Sequence, residues 1–116
     1  VHLVGFSDNV DEYLRIFDCF LLTSKVEGLP NVIIEAQMLS VPVVSTNAGG
    51  SAECFIEGKT GFISKDSNIF ELEKLIVKVL EDEDFRINVQ KIAPKFITER
   101  FGRKKYSENI NKIYAR

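Results

Sequence analysis

Two glutamates eight residues apart, Glu27 and Glu35, flank a segment that could bind an anionic ligand. Pro30 is pre-set for the first turn of a helix, and Gly28 lets the backbone approach a ligand closely. The free N–H groups and the positive dipole end of a helix that begins near Asn31 form an anion site suited to a diphosphate. Asn31 and Glu35 are four residues apart and share a helix face. We therefore expect the Glu35 carboxylate to face the same opening, where it can accept both hydroxyls of a ribose.

The helix predicted over residues 31–40 is apolar around almost its whole circumference and should be buried. An ionised Glu35 inside that helix is costly unless a polar group meets it, which makes it the most informative residue of the chain. Residue type alone favours a purely structural role for both glutamates. Glu27 would then be a charge in a loop, and Glu35 would be a helix carboxylate that bonds to neighbouring backbone or Lys. The apolar residues are Val32, Ile33, Ile34, Ala36, Met38 and Leu39.

Short apolar runs separated by helical patterns predict the architecture. Continuous apolar strands suit a parallel sheet covered on both faces, and parallel pairs need helical crossovers. We therefore expect an α/β fold, with a Rossmann-like parallel sheet of about four short strands, flanking helices and a helical C-terminal tail. The predicted strands are Val1–Phe6, Cys19–Thr23, Pro42–Ser45 and Gly61–Ile63.

Three apolar stripes predict helices in the second half of the chain. The acidic run 82–84 suits a helix start, which is a commoner use of such a run than metal binding. Gly102 separates the second helix from the third. The stripes are Ile69, Leu72, Leu75, Ile76 and Val79; then Phe85, Val89, Ile92 and Phe96; then Tyr106, Ile110, Ile113 and Tyr114.

The loops at the carboxyl ends of the strands should hold the site, because open α/β sheets bind ligands in the crevice there. Residues 5–9, 24–31 and 46–51 follow the first three predicted strands and should lie along one edge. Gly49 and Gly50 in the third loop suit a tight turn or a ligand contact about equally.

Composition excludes several classes of protein. The 116 residues, 45% hydrophobic and 28% charged, fit one globular domain. A net charge of −2 gives no basic field for nucleic acid. Cys19 and Cys54 lack metal-ligand spacing, so we expect both to be buried thiols in a reducing compartment. We therefore expect a cytoplasmic protein. A longer protein that contains this chain could also contact the membrane peripherally. His2 is expected at the surface, and the run 103–105 is too short for a lipid-binding patch.

Residues 27–36, EGLPNVIIEA, resemble the E-x7-E element of glycosyltransferase family 4, a retaining group with the GT-B fold. The likeness covers residues 1–63 closely. It continues through VGF at 4–6, PVV at 42–44, AGG at 48–50, Glu53 and GKTGF at 58–62. The resemblance implies transfer of a sugar from a nucleotide-diphosphate sugar to an acceptor hydroxyl with retention, and a site that needs no metal or other cofactor.

The resemblance also implies roles for individual residues. Glu27 would lie near the donor sugar as the catalytic residue, and Glu35 would bind the ribose. Gly5 and Phe6 would border the base. Gly49 and Gly50 would line the sugar side. The amides around Gly28, Leu29, Pro30, Asn31 and Val32 would meet the diphosphate and the sugar hydroxyls.

The family's donor domain normally begins with two further β-α units, which carry an Arg and a Lys for the diphosphate. We expect this chain to be a donor-binding part that lacks those units and the acceptor-binding N-terminal domain. Unpaired strand edges would then invite self-association. Two alternatives are a non-enzymatic nucleotide-binding or assembly module and a signalling receiver-like domain. The second would need acidic strand ends where Gly5-Phe6 and Thr46-Asn47 stand.

Overall fold

The computed structural model describes residues 10–23 and 31–102. The strand predicted over Val1–Phe6 and the third helical stripe, which begins at Tyr106, lie outside these residues. So do His2 and the basic run 103–105. The elements are α1 (Val10–Ile16), β1 (Phe20–Leu22), α2 (Asn31–Met38), β2 (Val43–Thr46), a 3-10 turn (Gly49–Glu53), β3 (Gly61–Ser64), α3 (Ile69–Glu81) and α4 (Glu83–Phe101).

The three strands form one parallel sheet in the order β1-β2-β3. Val43 in β2 lies opposite Phe20 on one side and opposite Gly61 on the other. This confirms the predicted α/β fold with a parallel sheet, and the three strands start and end within a residue or two of their predicted limits. Among the described residues β1 is an edge strand, and its Leu21 side chain is 44% exposed.

Helices cover the sheet on both faces, as the alternation of side chains along β2 shows. Val43 packs into one apolar cluster with Ile33 and Ile34 of α2, while its neighbour Val44 packs into the other. Successive side chains of a strand point to opposite faces, so two adjacent valines can both be fully buried only between two layers. The sheet is therefore the middle layer of a three-layer structure.

Helix α4 contacts both clusters, because its amino-terminal half lies on one and its carboxyl-terminal half on the other. The second predicted stripe was partly wrong here. Ala93 and Ile97 are fully buried, whereas Ile92 and Phe96 are only half-buried. Burial follows a spacing of four residues from Phe85 through Val89, Ala93 and Ile97, which keeps contact with both clusters over roughly three turns.

The boundary residues of α4 confirm the predicted start and end. The Asp82 carboxylate accepts a hydrogen bond from the Phe85 N–H at 2.9 Å, as an N-cap does. The helix ends at Phe101, and Gly102 follows with φ +84°, a conformation that glycine adopts without steric cost.

Helix α3 follows its predicted stripe except at its first residue. Leu72 and Val79 are buried, and Leu75 and Ile76 are half-buried against the same cluster. Ile69 was predicted to be part of this face but is 73% exposed. It occupies the first position of the helix, beyond the part that packs against β2 and β3, so the periodicity overstates its burial.

An asparagine cap begins α3 and gives a testable stability effect. The Asn68 side-chain oxygen accepts from the Phe70 N–H at 2.8 Å and from the Glu71 N–H at 3.4 Å. Asn68→Ala should lower the free energy of unfolding by about 1 kcal/mol, measured by urea denaturation. Asn88→Ala, at an exposed position inside α4, is the matched control and should leave stability unchanged or slightly higher. Equal losses in both variants would contradict the capping role.

Both cysteines are free thiols. Cys54 is fully buried, as predicted, but Cys19, which directly precedes the edge strand β1, is only half-buried. Burial raises the pKa of each thiol to about 11, with Glu53 adding to the effect at Cys54 and Asp18 at Cys19. Both thiols are therefore protonated at neutral pH and weakly nucleophilic.

Helices long and apolar enough to cross a bilayer do not occur within residues 10–23 and 31–102.

Candidate functional site

The amino-terminal end of α2 lies at the edge of the sheet where the parallel strands end. β1 ends at Leu22, and the chain re-enters the described residues at Asn31, the first residue of α2. The predicted site residues Glu27, Gly28, Leu29 and Pro30 lie in the segment between them, outside the described residues. Gly5 and Phe6 lie outside as well. The described part of the site consists of Asn31, Val32, Glu35, Gly49 and Gly50.

Along α2, burial increases from the opening towards the sheet. Asn31 is exposed and Val32 is half-buried, whereas Ile33 and Ile34 are fully buried. The Glu35 side chain is half-buried, within a helix that was predicted to be buried. Its helix face is shared with the exposed Asn31, one turn nearer the opening, so the group keeps partial access to solvent.

The fully buried polar side chain of α2 is Gln37, which the sequence analysis did not single out. Its amide nitrogen donates to the Val41 carbonyl at 2.9 Å and to the Thr60 carbonyl at 3.0 Å. Both amide hydrogens are thus used, and the reverse orientation would put the side-chain oxygen against two carbonyl oxygens. Gln37 therefore ties α2 to the connection that precedes β2 and to the residue before β3. The signal in the sequence was an amide inside an otherwise apolar stretch.

The turn after β2 is held by one buried hydroxyl. Ser51 Oγ accepts from the Ala48 N–H at 3.3 Å and donates to the Thr46 carbonyl at 3.1 Å. Thr46 Oγ1 in turn donates to the Leu22 carbonyl at 3.5 Å, which links the carboxyl ends of β1 and β2. These hydrogen bonds fix the backbone of the turn after β2 relative to the end of β1.

Gly49 and Gly50 lie at the outer surface of that turn. Gly49 is exposed with φ +51°, in the left-handed region that favours glycine. Gly50 is half-buried, and its carbonyl accepts a weak hydrogen bond from the Cys54 thiol at 3.5 Å. The backbone conformation accounts for glycine at 49 as a turn residue, and its exposure leaves the main chain accessible to a ligand.

The acidic run 82–84 surrounds a shallow depression of about 450 Å³ beside Lys78, between α3 and α4. Asp82 is engaged as the helix cap. Within the described part of the chain, no group of three or more His, Cys, Asp or Glu side chains is arranged to hold a metal ion.

Two named proteins resemble this chain in sequence, and a third resembles it in fold. The Vi polysaccharide biosynthesis protein VipC/TviE of Salmonella typhi is 46% identical over 101 residues, covering 84% of this chain. The capsular polysaccharide biosynthesis glycosyltransferase CapM of Staphylococcus aureus is 31% identical over 108 residues, covering 93% of this chain. The crystal structure of HepE from Anabaena in complex with UDP superimposes with a TM-score of 0.80 at 26% identity, over 97% of this chain.

The chain is much shorter than these proteins. It spans 18% of the Salmonella protein, 28% of CapM and 31% of the HepE chain. Residues 1–96 match the family of glycosyl transferases group 1, which is most of the chain. On this match and on the relatives of 46% and 31% identity, the chain belongs to the glycosyl transferases group 1 family.

Proposed function

We propose that this chain supplies the donor-binding site of a longer glycosyltransferase, which transfers a sugar from a nucleotide-diphosphate sugar to an acceptor hydroxyl with retention of configuration. The observation that carries the proposal is that α2 begins, and the Gly49-Gly50 turn follows, beyond the carboxyl ends of the neighbouring parallel strands β1 and β2, with the half-buried Glu35 on the same helix face as the exposed Asn31. A helix amino terminus, a carboxylate and accessible glycine backbone are the groups that a nucleotide diphosphate sugar needs.

The diphosphate would be bound by the first backbone N–H groups of α2. These groups have no carbonyl partner within the helix, and the positive end of the helix dipole favours an anion. When the sugar–phosphate bond breaks, negative charge grows on the diphosphate, so donors that are already in place stabilise the leaving group. In this proposal the amides and the cations of the longer protein carry that charge without a metal ion.

Glu35 would accept hydrogen bonds from the two ribose hydroxyls. Its place one turn into α2 puts the nucleoside beside the helix and the diphosphate at its end. Glu27 would support the donor sugar electrostatically, and Gly49 and Gly50 would line the sugar side. Neither glutamate is proposed as a general base.

The relatives support this assignment by what their names state. HepE was crystallised in complex with UDP, and two relatives act in polysaccharide biosynthesis by name. We infer that the longer protein builds a polysaccharide and that its acceptor-binding domain lies outside this chain. Among the described residues no strand lies on the outer side of β1, and in this proposal another strand of the longer protein covers that edge.

The ribose contact can be tested without knowing the sugar. Glu35→Gln keeps the size of the side chain but removes the charge that strengthens a hydrogen bond from a hydroxyl. We expect the dissociation constant for the preferred nucleoside diphosphate to rise about tenfold or more, which corresponds to roughly 1.4 kcal/mol. Isothermal titration of the full-length protein with UDP, GDP and ADP in turn would measure it and would identify the base.

Glu99→Gln is the matched control, since Glu99 lies on the exposed side of α4 and pairs with Lys95 at 4.0 Å. It should bind nucleotide like the unchanged protein. Unchanged affinity in Glu35→Gln, with its unfolding transition intact, would remove Glu35 from the ribose site. A full-length protein that binds none of the three nucleotides would overturn the donor-site proposal itself.

A further inference from the structure

The carbonyl oxygen of Thr46, the last residue of β2, accepts hydrogen bonds from three donors. Ser45 Oγ donates to it at 2.8 Å, the Ala48 N–H at 3.0 Å and Ser51 Oγ at 3.1 Å. Both serines are fully buried and Thr46 is 4% exposed, so water does not compete for these bonds. The end of β2 is therefore a fixed point to which the following turn is attached.

The two serine hydroxyls differ in what they join. Ser45 Oγ donates to the carbonyl of the next residue, so this bond stays within β2. Ser51 Oγ donates to a carbonyl five residues earlier in the chain, and it also accepts from the Ala48 N–H at 3.3 Å. The Ser51 bonds therefore tie the turn to the strand, and the Ser45 bond does not.

Gly49 and Gly50 in this turn have no side chains that could hold them by packing. Glycine has wider backbone freedom than other residues, and Gly49 uses it with φ +51° at an exposed position. The position of both glycines relative to β2 then depends mainly on the residues on either side, Ala48 and Ser51. Because the Ser51 hydroxyl bonds directly to Ala48, it closes the turn around the two glycines.

We propose that Ser51 is a positioning residue for the donor sugar, because its hydroxyl holds the main chain of Gly49 and Gly50 where the sugar contacts it. This inference rests on the proposed function, in which the two glycines line the sugar side. It adds that the donor site has two parts held by different elements. Helix α2 with Glu35 binds the nucleoside diphosphate, and the Ser51 hydroxyl sets the contact with the sugar. Ser51 is itself fully buried, so it acts through the glycines.

Ser51→Ala tests this role in the full-length protein, because it removes the hydroxyl with little change in volume. We expect the dissociation constant for a nucleotide sugar to rise about tenfold, since the two glycines lose their fixed position. The dissociation constant for the nucleoside diphosphate of the same base should change less than about twofold, because α2 is left intact.

Isothermal titration would measure both constants. The nucleoside diphosphates are UDP, GDP and ADP, and the nucleotide sugars are UDP-glucose, UDP-N-acetylglucosamine, GDP-mannose and ADP-glucose. The comparison uses the nucleotide sugar that the unchanged protein binds most tightly, together with its own nucleoside diphosphate.

Ser45→Ala is the matched control. It removes a serine hydroxyl that is equally buried and donates to the same Thr46 carbonyl, but it leaves the Ser51 bonds in place. Both variants should lose stability to a similar extent in urea denaturation, whereas only Ser51→Ala should weaken binding of the nucleotide sugar. An effect of lower stability alone would appear in both variants.

Hydrogen exchange examines the turn without a ligand. In Ser51→Ala the backbone amides of residues 48–51 should exchange faster than in the unchanged protein, because local opening of the turn costs less free energy. In Ser45→Ala they should exchange at the original rate. The amides of α2, residues 31–38, should exchange alike in both variants.

Three results would overturn this inference while the donor site itself stands. Ser51→Ala could bind the nucleotide sugar as tightly as Ser45→Ala does, or its turn amides could exchange at the original rate. Binding of the nucleotide sugar and of the nucleoside diphosphate could weaken equally, which would assign Ser51 to the whole site. The unchanged protein could bind a nucleoside diphosphate but none of the nucleotide sugars, which would mean that the glycines line no sugar. An unchanged protein that binds none of these compounds would instead contradict the proposed function, and this inference with it.

Discussion

Gln37→Glu should destabilise the protein by about 3–5 kcal/mol at neutral pH, because it buries a charge where no donor among the described residues reaches the Gln37 side-chain oxygen. The Gln37 side chain is fully buried, and its amide donates to two carbonyl oxygens at 2.9 and 3.0 Å. A carboxylate at the same place has no hydrogen to donate to the Val41 and Thr60 carbonyls. It would face both carbonyls without water to compensate.

The loss should depend on pH in a defined direction. Burial and the two carbonyls raise the pKa of the new carboxyl in the folded protein above its unfolded value of about 4.3. Below that value both states are protonated, and the acid can donate to one carbonyl, so the penalty is smallest there. As the pH rises, the unfolded chain releases its proton first, and stability falls until the folded carboxyl also ionises.

Urea denaturation at a series of pH values from 4 to 8 would measure this difference between the variant and the unchanged protein. Gln90→Glu, the same substitution at an exposed position of α4, is the matched control and should change stability little at any pH. A Gln37→Glu variant as stable as Gln90→Glu at neutral pH would show that the bonds from α2 to Val41 and Thr60 are dispensable.

Gly61→Ala should lower the free energy of unfolding by about 3 kcal/mol, at the upper end of the cost of overpacking a core. A Cβ atom at Gly61 would lie 2.6 Å from the Val43 carbonyl oxygen and 2.8 Å from Cδ2 of Phe55. The backbone oxygen belongs to the neighbouring strand β2, which is buried on both faces, so it has little freedom to move.

Gly58→Ala is the comparison that separates space from backbone conformation. Gly58 has φ +79°, and a Cβ there would meet nothing within 4 Å. Its cost is the left-handed conformation alone, about 1 kcal/mol. Thermal unfolding of both variants should show a clearly larger fall in melting temperature for Gly61→Ala. Equal falls would mean that β2 and β3 separate enough to admit the methyl group.

The type of fold followed from the sequence because strands buried on both faces carry continuous apolar runs rather than an alternation of apolar and polar residues. Phe20 to Leu22 and Val43-Val44 predicted a parallel sheet covered by helices, and the structure confirms it. Asp82 and Gly102 were also correctly assigned to the ends of α4, since caps and positive φ depend on local chemistry. Burial was less predictable. Ile69 has the periodicity of a core residue but extends past the sheet.

For the candidate site, too, the sequence predicted the local pattern and left the burial of each side chain undecided. The spacing of Asn31 and Glu35 predicted that they share one face of a helix, and the helix of the structure begins at Asn31. The sequence also indicated the group 1 glycosyltransferase family, through the short-range pattern from residue 27 to residue 36. Helix periodicity, caps, turns and motifs are properties of neighbouring residues, so they can be read without knowing the packing.

Only the tertiary structure decided which polar group of α2 is buried. Glu35 and Gln37 both lie in the apolar helix, yet Glu35 is half-buried and Gln37 fully so. The difference depends on the rotation of α2 over the sheet. That rotation is held in part by Thr60, 23 residues further along the chain, whose carbonyl accepts a hydrogen bond from Gln37. Likewise, only the packing of α3 showed that Phe70 and Val77 face solvent. The sequence by itself determined the helices and strands of the described residues and predicted a ligand edge, because these follow from local pattern. The tertiary structure decided burial and contact, because these depend on residues that are far apart along the chain.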